Sequence, residues 1–175
     1  MGNTEVTGRV AERARQEADA YRGDNARPLE GYAVVLGIYG SLVALTAVVA
    51  AATGRKLPAR WPLQDLVTVA IGTHKLSRTV SKDAVTSPLR APFTRFREAG
   101  APGEVNEEVR GDGPRKAIGE LLSCPFCIGQ WIATTIVGGL VLAPRTTRWI
   151  AATLTVAAAA ESLQYVHAAL DRATD

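Results

Sequence analysis

The chain has 175 residues, 20 Lys plus Arg against 17 Asp plus Glu, and 47% hydrophobic residues, a length suited to one domain of ordinary size. This composition excludes a disordered, a collagen-like and a disulfide-framework chain. The net charge of +3 and pI near 9.1 do not make a nucleic-acid binder, because aromatics are 6% and the basic residues flank apolar runs. Charges gather in three polar blocks, and the stretches between them are long enough to cross a bilayer.

Residues 1–31 are polar, with Arg9, Arg13, Arg15, Arg22 and Arg27 ahead of the first apolar run. No early cleavage pattern follows them, so the block reads as a cytoplasmic amphipathic segment and not as a signal peptide. Val6, Val10, Ala14 and Ala18 recur every four residues, and Glu5 stands four before Arg9, which predicts a short surface helix with one weakly apolar face. Gly23, Asn25 and Pro28 end it.

Residues 32–170 form the expected membrane domain. The first span, Tyr32–Ala52, carries no charge and covers about 30 Å as a helix, the usual hydrocarbon thickness. Ala33, Gly37 and Ser41 follow a small-xxx-small spacing suited to close helix approach. The second, Pro62–Val80, holds Asp65, His74, Lys75 and Arg78 and competes with a soluble amphipathic helix. The third, Pro125–Leu142, and the fourth, Thr147–Leu170, are joined by a short turn with Pro144 and Arg145, and so pair as an antiparallel hairpin. Residues 171–175 form a short tail.

The stretch 81–123 is too long for a plain connector and calls for order of its own. Pro88 and Pro92 forbid a continuous helix over Thr86–Phe93 and predict an extended segment along the headgroups. Gly100–Pro114, rich in Gly, Pro and acids, reads as mobile or as a hairpin around Gly111-Asp112-Gly113, and Ala117–Leu122 as a helical approach to the third span.

With four spans, 14 Lys and Arg fall on the side of the N-terminal block, the segment Arg78–Lys116 and Arg172, against five (Arg55, Lys56, Arg60, Arg145, Arg148) on the other. Basic residues accumulate on the cytoplasmic face, which puts both termini and the central loop inside.

Cys124-Pro125-Phe126-Cys127 places two thiols one turn apart at the start of the third span. Three readings stand: packing at a helix start with Pro125 in its first turn, redox cycling, or donation of two soft ligands to a metal or dimer bridge. With two Cys and two His in the chain, no complete zinc site is expected, and zinc would need ligands from a second chain or partner. No βαβ pattern surrounds the pair, and the inferred cytoplasmic side disfavours a permanent disulfide.

Depth arithmetic at 1.5 Å per residue brings Lys75 and Glu161 to about the same level, some 20 Å from the outer ends of their spans. Gln130, about 8 Å above the inner end of the third span, reaches that level too. His74, Lys75, Arg78, Gln130, Glu161 and Gln164 are therefore expected as a polar layer in the inner half of the bilayer, either snorkelling or lining a lipid or solute site. Glu161 is expected to pair with Lys75 or Arg78. The sequence has no phosphate-binding glycine loop and no metalloprotease His spacing, and no catalytic residues are assigned.

The runs 70–78 (with Thr73, His74, Ser77 and Arg78), 82–93 (with Asp83, Pro88, Arg90 and Pro92) and 120–131 (with Cys124, Cys127 and Gln130) together resemble the DUF1360 family of bacterial membrane proteins, over about residues 62–145. The resemblance implies a small integral membrane protein, some of whose relatives carry sporulation-associated names, and no reaction or cofactor. The expectation is an all-α, four-span protein of the bacterial inner membrane. Its partners would be the bilayer, a second copy or another membrane protein, and its role structural or interactive. The alternatives are a thiol redox or metal-binding protein and, third, a lipid or solute site.

Overall fold

The computed structural model describes residues 2–23 and 27–174, and the side chains of these except residues 2–5 and 22. The Glu5 side chain and Asn25 lie outside the described residues, as does Asp175 at the end of the tail. Helix α1 spans Gly2–Arg22, and its apolar positions Val6 and Val10 are exposed. The apolar runs all become helices: α2 Leu29–Ala52, α3 Leu63–Lys82, α6 Pro125–Leu142 and α7 Pro144–Thr174. A single residue, Ala143, separates α6 from α7, and α7 continues through the expected tail.

Helix α6 sits at the centre because its β-branched and leucine positions repeat every four residues. Ile128, Ile132, Ile136 and Leu140 make one buried stripe, closed by Val69 of α3 and by Trp61, Leu76 and Val80 around it. Helices α3 and α7 run parallel, Asp65 meeting Arg148 near both starts and Lys75 meeting Glu161 farther along. They come close at Gly72, where a Cβ would lie 3.4 Å from the Ala151 carbonyl oxygen. Helices α2 and α6 also run parallel, through Tyr39 beside Thr134 and Thr46 beside Gly138. The small stripe Ala33, Gly37, Ser41 is exposed; the close approach on α2 falls at Gly31 instead, where a Cβ would stand 2.5 Å from the Gly113 carbonyl oxygen of α5.

The 81–123 stretch corrects the all-α expectation. After α3 comes a 3-10 turn, Ala84–Thr86, and a four-residue helix α4, Ser87–Arg90, not an extended segment. Pro88 falls in the first turn of α4, where its missing N–H costs nothing, and Pro92 follows the end. Strands β1 (Thr94–Ala99) and β2 (Val105–Val109) form an antiparallel hairpin with an irregularity between Phe96 and Glu98. Its turn lies at 100–104, with Gly103 at φ +80, and not at Gly111–Gly113. Gly111 and Gly113, both at positive φ, lead into α5, Gly113–Ser123. These elements make a folded cap across one end of the helices.

Among the described residues, two helices are long and apolar enough to cross a membrane: α2, mean hydropathy 2.2, and α6, mean hydropathy 1.6. Helices α3 and α7 do not meet that measure: Asp65, Lys75 and Arg78 interrupt α3, and Glu161 with Ser162 and Gln164 lowers the hydropathy of α7.

Candidate functional site

The cap and bundle meet where α5 ends and α6 begins. Cys124 is the link, in extended conformation, and caps α6: its Sγ accepts the Cys127 N–H at 3.3 Å, and Pro125 occupies the first turn. This puts the two Sγ atoms 2.6 Å apart, with both thiols free. The pair lines an open groove of about 660 Å³ together with Arg27, Tyr32 and Glu120, whose Oε2 accepts the Tyr32 hydroxyl at 2.5 Å. Cys124 is half-buried and Cys127 exposed, beside Phe126, which is 91% exposed. Among the described residues no third Cys, His, Asp or Glu completes a metal-binding group with them. The two thiols amount to half of a tetrahedral zinc set.

The residues expected in one polar layer divide into separate contacts. Lys75 Nζ lies 3.0 Å from Glu161 Oε2, joining α3 to α7. Arg78 turns instead to Glu104 in the hairpin turn. Gln130 donates to the Tyr39 hydroxyl at 3.0 Å, and that oxygen lies 2.8 Å from Thr134 Oγ1, so Gln130 belongs to the α2–α6 interface. His74 and Gln164 are exposed. Thr73 Oγ1 is buried without a hydrogen-bond partner among the described residues, whereas the buried Ser77 donates to the His74 carbonyl.

At the far end of α3 and α7, Arg148 grips both carboxylate oxygens of Asp65, at 2.8 to 3.2 Å. The same depth arithmetic that aligns Lys75 with Glu161 would have found this pair, since each residue sits in the first turns of its helix.

The most enclosed polar group is Arg90, with no exposed surface. Its Nε and Nη2 hold the Glu107 carboxylate at 2.8 and 3.1 Å. Its remaining N–H groups reach the Val80 and Asp83 carbonyls and the Thr86 and Ser87 hydroxyls. Thr94 also donates to Glu107, at 2.9 Å. Burial pushes the Glu107 carboxyl up, but the hydrogen bonds from Arg90, Thr94 and Ser87 with the guanidinium charge outweigh it and hold the group below the ordinary value. Asp83 pairs with Glu104 as an isolated bridge, Pro88 is exposed, and the Pro92 carbonyl accepts from Arg115. The 82–93 motif is thus a local knot that pins the end of α3 to β2. Nothing in the sequence named Glu107, one acid among several in a segment read as mobile.

The DUF1360 family model, described as a protein of unknown function, matches residues 68–167. Its match includes α3 from Thr68, the cap, α6 and α7 past Glu161. A curated relative, "Sporulation protein YjcA" of Bacillus subtilis (strain 168), is 31% identical over 95 residues, which cover 53% of this chain and 80% of the relative. No solved structure matches the chain. With the family model covering the cap and three of the long helices, and a relative 31% identical over 80% of its length, the chain belongs to the DUF1360 family of proteins of unknown function.

Proposed function

We propose that the chain is a four-span protein of the bacterial cytoplasmic membrane with a structural or interaction role, its cap and both termini on the inner face. The observation that carries this is α2: its hydropathy of 2.2 comes with only 6% of the apolar window buried. An apolar helix left open on nearly every side wants a hydrocarbon solvent. Two charge pairs join α3 to α7, Lys75 with Glu161 and Asp65 with Arg148, which lowers the cost of placing both helices in lipid. The helix directions support the reading: α2 and α6 run one way, α3 and α7 the other, as successive crossings require. Reporter fusions at residues 28, 57, 110 and 175 test it. Position 57 is expected outside and the other three inside; an external signal at 110 overturns the four-span arrangement. The relative's name makes spore formation the first phenotype to score in a deletion strain of a spore-forming host.

The proximity of the thiols favours a second reading, a dithiol that a disulfide-class oxidant converts to Cys124–Cys127 disulfide. Each thiol releases a proton, one S–S bond forms, and the oxidant's disulfide takes up two electrons and two protons to become two thiols. The Cys124 sulfur receives both the Cys127 N–H and the Cys127 S–H, so its thiolate is the better stabilised. Cys124 is expected to alkylate faster than Cys127 with a soluble reagent. Equal, slow labelling with no bound metal and no disulfide leaves packing alone.

A further inference from the structure

We propose that the end of the bundle opposite the cap binds an anionic phospholipid, with its phosphate at Arg55 and Arg145 and one acyl chain in the furrow between α2 and α6. The proposal rests on the membrane reading above and concerns a place separate from both the thiols and the Lys75 layer.

Two cavities meet there. One, of about 570 Å³, gathers Arg55, Arg145 and Arg148 around the α6–α7 turn. The other, of about 670 Å³, runs between α2 and α6 and shares Arg55. Both volumes are in the range of small-molecule sites, about 300–1,000 Å³. Their chemistry differs by depth as a lipid's does: cationic at the mouth and apolar below.

The apolar part follows from sequence spacing. Val43, Ala47 and Ala51 on α2 and Ala133, Val137 and Val141 on α6 recur every four residues, so each helix presents one stripe to the furrow. The helices touch at Thr46 and Gly138, and the small alanines beside that contact leave space that neither helix fills. From Val141 down to Gln130 the furrow is about 16 Å long, which is half the hydrocarbon thickness of a bilayer and so one leaflet. The hydrogen-bonded group Tyr39, Gln130 and Thr134 closes its floor.

The charge at the mouth fits an anion. Arg148 is committed to Asp65, whereas among the described residues neither Arg55 nor Arg145 forms an ion pair. Two uncompensated guanidiniums over an apolar slot one leaflet deep select a phosphodiester with a hydrocarbon tail over a free anion or a neutral lipid.

The test uses the full chain purified in neutral detergent and titrated with phosphatidylglycerol, phosphatidylcholine or glycerol phosphate, read by native mass spectrometry and thermal unfolding. Phosphatidylglycerol is expected to bind at least about tenfold tighter than phosphatidylcholine, and glycerol phosphate to give no shift. Arg55→Gln with Arg145→Gln removes the preference, Ala47→Phe weakens both lipids by filling the furrow, and Lys56→Gln with Arg60→Gln leaves the preference intact. Equal affinity for the two lipids overturns the site, as does an equal loss in the Lys56/Arg60 variant, which would mean diffuse charge. If Ala47→Phe dissociates a dimer and leaves lipid binding unchanged, the furrow is a contact between copies and the proposal falls. Extraction from membranes by alkaline carbonate refutes the membrane reading itself. Retention in membranes without a phosphatidylglycerol preference refutes only the lipid site.

Discussion

In the cap, Arg90 has no exposed surface and its guanidinium meets six acceptors, two of them on Glu107. In the bundle, Lys75 and Glu161 share one contact of 3.0 Å with 16% and 35% of their side chains exposed. Among the described residues the cap has no large apolar core of its own, and a fully satisfied polar knot holds its segments in place instead. The bundle is held by the α6 stripe of Ile and Leu, and its ion pairs serve to neutralise charge along the α3–α7 seam. Breaking a buried, fully bonded pair leaves a carboxylate with nothing to replace the lost donors, while a half-open pair can relax toward its surroundings.

The comparison predicts its largest effect at Arg90. Arg90→Met is expected to cost about 3–5 kcal/mol, because Glu107 is then buried without a counter-charge. Adding Glu107→Gln should recover part of the loss. Chemical denaturation in detergent, with amide exchange followed over β1 and β2, measures both. A single variant near wild-type stability would show that the knot is ornamental to the cap.

A smaller effect belongs to the bundle. Glu161→Gln and Lys75→Met are expected to couple by about 0.5–3 kcal/mol in a double-mutant cycle on unfolding, whereas Glu161→Gln and Arg78→Met should add within about 0.5 kcal/mol. Coupling to Arg78 in place of Lys75 would move the pair to the other face of α3. Removing Glu161 alone should be worse than removing it with Lys75, since the lone cation is left uncompensated.

The smallest effect is a pH dependence of the cap through Glu107. The folded Glu107 carboxyl titrates below its unfolded value of about 4.3, so its stabilisation is complete above that pH and is lost as the pH falls through the lower folded value. Exchange protection of the β1 and β2 amides should fall across that acid window in the wild type. It should stay flatter in Glu107→Gln, and protection in α6 should not follow it. An equal acid response in cap and bundle would remove the distinction between them.

The four long helices, the α6–α7 hairpin and the Lys75–Glu161 level were legible in the residues, because apolar length and a rise of 1.5 Å per residue are one-dimensional properties. Cys124 at a helix start was legible for the same reason, through Pro125 and the apolar run behind it. The cap was not. Whether Thr94 opens a strand depends on Val109 across from it, and whether Glu107 is a solvated acid or the partner of Arg90 depends on a contact 17 residues away. The separation of Gln130 from Lys75 was hidden too, since depth along an axis fixes a level and not a direction around the helix. The sequence by itself determined where the long helices lie and how far along each its charges sit, both being set by neighbours within a few turns. Tertiary structure alone decided which charges meet, because partner choice depends on how helices rotate and how a hairpin folds back, and these are settled by packing between distant segments.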